Sequence, residues 1–198
     1  MSKKVLVIYS SVNKESVTSK ATNAFVKKYE NKYPNSEITL LDLSTSTFSK
    51  NSLTAENFST FWNDNEADKW IDLLKNVDLV VVGAPMYNFN ISGMLKNFLD
   101  TVCVANKTFS YKYSKKGDAI GLVTNIDVAI IGAQGAPLGW YPFGNHVAYL
   151  EGTFKFIGAK NVYTYLIDGV KVAPRSTISQ EEIIKEISPE LDKIISNL

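Results

Sequence analysis

The chain has 198 residues, enough for a sizeable core, and 1–198 reads as one domain with no linker or second boundary. Lys and Arg number 21 against 20 Asp and Glu, and the net charge of +1 carries no footprint for nucleic acid or an anionic membrane. Cys103 stands alone, which excludes an intrachain disulfide, and the apolar run 5–9 is too short for a signal segment or a membrane span. A cytoplasmic protein is expected.

In chain order, residues 4–9 predict a first strand and 16–33 a helix, with Val17, Ala21, Ala24 and Phe25 near one face and a stop before Pro34. Residues 37–43 alternate enough for a second strand, near the sheet edge. A polar insertion follows at 44–57, then helical pieces around Phe58, Phe61 and Trp62 and around Trp70, Leu73, Leu74 and Val77, parted by the polar stretch 63–66. Residues 78–84 predict strand three, apolar without alternation as in a strand covered on both faces. Ser92 is a good N-cap for a helix over 92–105. The stretch 107–125 breaks the pattern, because 108–113 alternates, 115–118 reads as a turn and 119–123 resumes, which predicts a hairpin or extended excursion walling a ligand site. Strand four is expected at 127–132, a helix at about 143–156, strand five at 161–167 and a last helix at 180–197. Five strands alternating with helices predict an α/β protein built on a doubly wound, five-stranded parallel sheet with helices on both faces and right-handed crossovers.

The most informative loop is Gly83-Ala84-Pro85-Met86-Tyr87-Asn88-Phe89-Asn90-Ile91-Ser92. It follows a buried strand, where open α/β sheets bind ligands, and offers stacking rings and amides rather than acids or bases; the plainer reading is a connecting loop with two rings tucked into the core. The first strand-to-helix turn, Tyr9-Ser10-Ser11-Val12-Asn13-Lys14-Glu15-Ser16-Val17-Thr18, lacks the glycines of dinucleotide and triphosphate loops. Its hydroxyls at Ser10, Ser11, Ser16 and Thr18 suit a terminal phosphate beside the N–H groups of Val17 and Thr18, and Ser16 also reads as a helix cap. His146 has no Cys, His or Asp cluster for a metal and reads as a surface or loop residue; without a nucleophile elbow a hydrolase is disfavoured. Cys103 reads as a buried or half-buried structural thiol, and Trp62 and Trp70 as packing residues. Trp140-Tyr141-Pro142-Phe143 has no helical or strand period and reads as a lid or partner-facing surface.

The opening MSKKVLVIYSS, the block APMYNFNISGMLKNFLD, the downstream KTFSYKY and the late FIGAKNV resemble the FMN-dependent NADH azoreductase and quinone reductase family, of flavodoxin-like fold. The resemblance implies FMN as cofactor, NADH or NADPH as electron donor and a quinone or azo compound as acceptor. It also implies a homodimer with flavin sites at the subunit interface, where the rings of Trp140, Tyr141, Phe143, Tyr111 and Tyr113 would be covered. Pro85, Met86, Tyr87, Asn88 and Phe89 would line the flavin ring and ribityl chain, and Ser10 or Ser11 with Ser16, Val17 and Thr18 would hold the phosphate. A loop after strand four would contact the ring; family members often carry Ser-Arg-Gly-Gly there, and this chain carries Ala133-Gln134-Gly135-Ala136, placing Gln134 and Gly135 at the cofactor. No catalytic side chain is required, since the flavin carries the chemistry. Phe89, Tyr111 and Phe156 are candidates to stack a nicotinamide or flat acceptor, or to pack a core or interface. A flavodoxin-type electron carrier, a class generally acidic where this chain is balanced, and a non-enzymatic flavin sensor are the alternatives.

Overall fold

The sheet is built where the sequence carries apolar runs without alternation. In the computed structural model, which describes residues 2–112, 114 and 117–198, β1 spans Lys4–Tyr9, α1 Val17–Lys32, β2 Glu37–Asp42, α2 Phe61–Asp64, α3 Ala67–Asn76 and β3 Leu79–Pro85. They are followed by α4 at Gly93–Val102, β4 at Phe109–Ser110, β5 at Ile120–Gly121, β6 at Asp127–Ala133, α5 at His146–Ile157, β7 at Asn161–Ile167 and α6 at Gln180–Ser196. The main sheet runs β2-β1-β3-β6-β7 with every pairing parallel.

Side chains alternate across this sheet and define two apolar layers. Leu6, Ile8, Val80, Val82, Val128 and Ile130 face one way, against Ile71 and Leu74 of α3, Phe98 and Val102 of α4 and Leu150 and Phe154 of α5. Val5, Val7, Val81, Ala129 and Ile131 face the other, against Phe25 and Tyr29 of α1 and Ile183, Ile187 and Leu191 of α6. Burial on both faces is why β1, β3 and β6 carry no polar alternation, while β2, at the edge, leaves Leu40 exposed. β1 lies between β2 and β3, so the chain reverses direction across the sheet there, and the carboxyl ends of β1 and β3 flank the crevice that open α/β sheets use for ligands.

Several boundaries differ from the sequence expectation for local reasons. The Asp42 carboxylate accepts from the Ser44 N–H at 2.9 Å and turns β2 into a 3-10 turn at Leu43–Thr45. The insertion after it is not wholly peripheral: Phe48 is buried and meets Trp70 and Phe98 edge-on, at centroid distances of 5.8 and 5.4 Å. Trp62 and Trp70 pack against the same layer. α4 stops at Val102, with the Thr108 hydroxyl accepting from the Val104 N–H at 3.0 Å and donating to the Val102 carbonyl at 2.7 Å. α5 starts at His146 rather than near 143 because Asn145 caps it, its Oδ1 accepting from the Ala148 N–H at 3.1 Å. The excursion between α4 and β6 pairs only as the two-residue strands β4 and β5; Tyr113, Lys115 and Lys116, in the expected second half of the hairpin arm and its turn, lie outside the described residues. Its return strand docks on the end of α5, where Gly121 and Gly158 meet backbone to backbone: a Cβ on Gly121 would lie 2.2 Å from the Gly158 nitrogen. Among the described residues, no helix is long and apolar enough to cross a membrane.

Candidate functional site

Of the five loops that leave the carboxyl ends of the sheet, those after β1, β3, β6 and β7 are joined by hydrogen bonds that shape the crevice. After β1, the Ser10 N–H and hydroxyl both donate to the Gly83 carbonyl, at 3.2 and 2.8 Å. Ser10 therefore stitches the first loop to β3, and its hydroxyl is directed away from the cleft rather than lining it. The Val12 N–H donates to the Tyr87 hydroxyl at 2.9 Å, which lies 3.3 Å from the Ser11 Oγ, so Tyr87 joins the first loop to the third-strand loop. Ser16 is buried and caps α1, its Oγ accepting from the Ser19 N–H at 3.4 Å.

Beyond that cap, the N–H groups of Val17 and Thr18 have no hydrogen-bond partner among the described residues, as expected for the first turn of a helix. The Thr18 Oγ1 is buried and has no partner either. Ser11, Ser16, Val17 and Thr18 line one end of a cleft of about 300 Å³, and Pro85, Met86, Tyr87, Gln134 and Gly135 line it further along. Two donors at a helix N-terminus with an unpaired hydroxyl beside them form an anion-binding corner.

The loop after β3 is a tight reversal. Met86 N–H donates to the Ala133 carbonyl at 2.8 Å, and Tyr87 and Asn90 exchange backbone hydrogen bonds at 2.8 and 3.1 Å. Asn88 and Phe89 between them have φ of 45° and 71°. Both central residues of such a turn need the left-handed region, which Asn tolerates and a bulky ring does not. The strain at Phe89 is held by its neighbours: its ring lies 5.1 Å from Tyr141 and 4.7 Å from Phe143, and Gly144 approaches so closely that a Cβ there would sit 3.1 Å from the Phe89 Cβ. Met86, Asn88, Phe89, Gln134, Gly135 and Tyr141 line a second hollow of about 250 Å³. Met86, Gln134 and Gly135 border both hollows, so the two adjoin.

A wall that the sequence reading missed is the segment after β7. Val170 N–H donates to the Gln134 carbonyl at 3.1 Å and Lys171 N–H to the Gly135 carbonyl at 2.9 Å, which lays residues 168–180 along the larger cleft. Lys171 and Arg175 line it. Arg175 is fixed by Asp168 and Glu186, at 2.9 and 2.6 Å, and the hydrogen bond with Glu186 raises its pKa further. The available signal was positional: two cations directly after the last strand of a parallel sheet.

His146 differs from its expectation as a surface or loop residue. It is 1% exposed at the first turn of α5, with its Nε2 2.9 Å from the Ala84 carbonyl, just before the Pro85 loop. Burial lowers its pKa, opposed by the hydrogen bond with Ala84. Asn145 as a helix cap was the sequence signal that would have turned His146 toward the sheet. Cys103 is half-buried, and desolvation, then the charge of Asp100, pushes its thiol up to about 11.

Phe89 stands at the cleft, but Tyr111 and Phe156 do not join it within one chain. Phe109 stacks between them, at 5.6 and 4.7 Å, and Phe156 lines a separate groove between α4 and α5 with Asp100, Cys103 and Tyr149. Trp140 and Phe143, 59% and 72% exposed, lie on the surface beside the smaller hollow's rim.

A family model described as flavodoxin-like fold matches residues 3–191. FMN-dependent NADH:quinone oxidoreductase 1 of Mesoplasma florum is 50% identical to this chain over 190 residues, 95% of this chain and 96% of that protein. FMN-dependent NADH:quinone oxidoreductase of Mycoplasma mycoides subsp. mycoides SC is 45% identical, with coverage of 95% and 96%. Among solved structures, the azoreductase from Bacillus anthracis str. Sterne matches with a TM-score of 0.81 at 24% identity, covering 99% of this chain and 100% of that one, a likeness of fold. From the extent of the family match and the identity to these relatives, the chain belongs to the flavodoxin-like family of FMN-dependent NADH:quinone oxidoreductases.

Proposed function

We propose that this chain is an FMN-dependent NADH:quinone oxidoreductase that also accepts azo compounds. The observation that carries the reading is the anion-binding corner: a buried, unpaired Thr18 hydroxyl beside the free N–H groups of Val17 and Thr18, at one end of a cleft whose other end meets a hollow rimmed by rings. The residues fit a flavin mononucleotide. Ser16, Val17 and Thr18, with Ser11 nearby, would hold a terminal phosphate, and Met86, Tyr87, Asn88, Phe89, Gln134 and Gly135 would border the ring. When bound, FMN supplies the redox chemistry, taking two electrons from NADH or NADPH and passing them to the acceptor. The protein's part is to fix the ring loop, through Met86 on the Ala133 carbonyl, His146 on the Ala84 carbonyl and Tyr87 on the Val12 N–H, and to offer Phe89 and Tyr141 as flat apolar surface.

The working unit proposed here is a cytoplasmic homodimer of single-domain subunits with two shared sites. Leu138, Trp140, Tyr141 and Phe143 are exposed together, more aromatic surface than a monomer leaves in water, and a two-fold partner would cover this patch and bring its own Tyr111 and Phe156 toward the cleft. Sedimentation equilibrium tests the dimer: a mass near 22.0 kDa with full quinone reductase activity contradicts it. Titration with FMN and FAD, followed by NADH under anaerobic conditions, tests the chemistry. FMN is taken up in preference to FAD, and its absorbance bleaches with NADH alone. FMN uptake without bleaching would mark a carrier or a sensor instead.

A further inference from the structure

We propose that the Gln134 side chain is the group that recognises the N3–H edge of the flavin, so that this site discriminates against flavins blocked at N3. The inference rests on the FMN reading above and deepens it.

Gln134 is 7% exposed, and its amide orientation is settled by one hydrogen bond: Nε2 donates to the Ala136 carbonyl at 3.0 Å, so the other head atom is the oxygen. That Oε1 is buried and has no partner among the described residues. A buried amide oxygen without a donor is costly, and native structures keep such a group where a ligand or water completes it. Gln134 borders both hollows, between the helix corner at Thr18 and the rings of Phe89 and Tyr141. Its backbone is fixed on both sides, the N–H donating to the Ile167 carbonyl at 2.9 Å and the carbonyl accepting from the Val170 N–H at 3.1 Å. The acceptor is thus held in place before any ligand arrives, which limits the ordering cost of binding.

An acceptor selects a donor. The oxidised isoalloxazine presents acceptors at N1, O2, O4 and N5 and a single N–H, at N3. Ribityl hydroxyls are the competing donors, but a phosphate anchored at Thr18 draws the ribityl chain toward that corner. The ring end then falls where the two hollows adjoin, and Gln134 stands there. Nothing covalent changes in this contact; it orients the ring and rejects ligands that lack the N3 proton.

The test compares FMN with 3-methyl-FMN, binding to apoprotein being followed by quenching of flavin fluorescence. Wild-type protein binds the methylated flavin at least about tenfold more weakly, about 1.4 kcal/mol. In Gln134→Leu, FMN itself weakens by a similar factor, and the penalty for the methyl group shrinks to less than about threefold. Equal affinities in the wild type, or a tenfold penalty retained in Gln134→Leu, overturns the inference while FMN binding stands. Failure of the wild type to bind FMN at all overturns the functional reading and this inference with it. Should Gln134→Leu fail to fold, proton NMR of the wild-type complex decides: the N3 proton is protected from solvent exchange, and exchange as fast as in free FMN refutes the contact.

Discussion

Replacing Thr18 by Val keeps the shape of the side chain and deletes only its hydroxyl, so it separates phosphate binding from folding. Among the described residues that hydroxyl is buried without a partner, so its removal breaks no hydrogen bond within the protein and relieves a desolvation cost of about 1 kcal/mol. For a chain of this size, such a change raises Tm by about 2–4 °C. With FMN the sign reverses, because a hydrogen bond to a charged oxygen contributes about 1.5–3 kcal/mol. The expected weakening of binding is therefore about ten- to a hundredfold. At FMN concentrations about 100 times the wild-type Kd, mass action stabilises the wild type by about 2.7 kcal/mol and a tenfold weaker variant by about half as much. Thermal melts with and without FMN, alongside a fluorescence titration, give both numbers. Thr18→Val thus melts above the wild type without FMN and gains less from adding it. Unchanged FMN affinity would place the phosphate elsewhere, and a lower Tm without FMN would show that the hydroxyl serves the fold.

Burial holds the His146 pKa in the folded protein below its ordinary value of 6.5, so the unfolded chain takes up this proton first as pH drops. Its stabilising contribution is whole above about pH 6.5 and is lost as pH falls through the folded-state value. His146→Gln, which keeps a donor for Ala84, flattens the acid decline of Tm below pH 6.5; an unchanged slope contradicts this. Cys103, with its thiol pushed up to about 11, is almost wholly protonated at pH 8 and reacts with iodoacetamide at least about tenfold more slowly than a free cysteine. Cys103→Ala leaves flavin reduction by NADH within about tenfold of wild type, and a larger loss in stopped-flow traces would reveal a catalytic role. Gly121→Ala pushes a Cβ into the Gly158 backbone and costs about 1–3 kcal/mol in a thermal melt, which an unaltered Tm would refute.

What the sequence disclosed follows from which interactions are local. β1, β3 and β6 were legible because burial on both faces leaves an uninterrupted apolar run, and Ser92 and Ser16 announced their helices as caps. The two hydroxyls of the first loop were not separable by sequence. Ser10 is turned to the Gly83 carbonyl by the β1–β3 register, which sets Tyr9 opposite Gly83 and which no local pattern encodes, whereas the Thr18 hydroxyl, in the first turn of α1, is buried without a partner among the described residues. Phe48 was hidden among Ser and Thr, since its partners Trp70 and Phe98 come from distant helices. The wall formed by Lys171 and Arg175 depends on backbone bonds to Gln134 and Gly135 across more than 30 residues, and His146 on a carbonyl 62 residues away. Tyr111 and Phe156 read as candidates to stack a flat ligand or to pack a core or interface; within one chain both lie against Phe109, a contact between β4 and α5 that no local spacing encodes.

Anaerobic spectroscopy tests directly whether this crevice holds FMN for electron transfer from a nicotinamide to a quinone. FMN-loaded protein is mixed with NADH before any acceptor is present, and a quinone is added afterwards. The flavin absorbance is lost with NADH alone and returns on adding the quinone, with parallel initial-rate lines when both substrates are varied. A flavin that stays oxidised until NADH and quinone are present together would contradict this role.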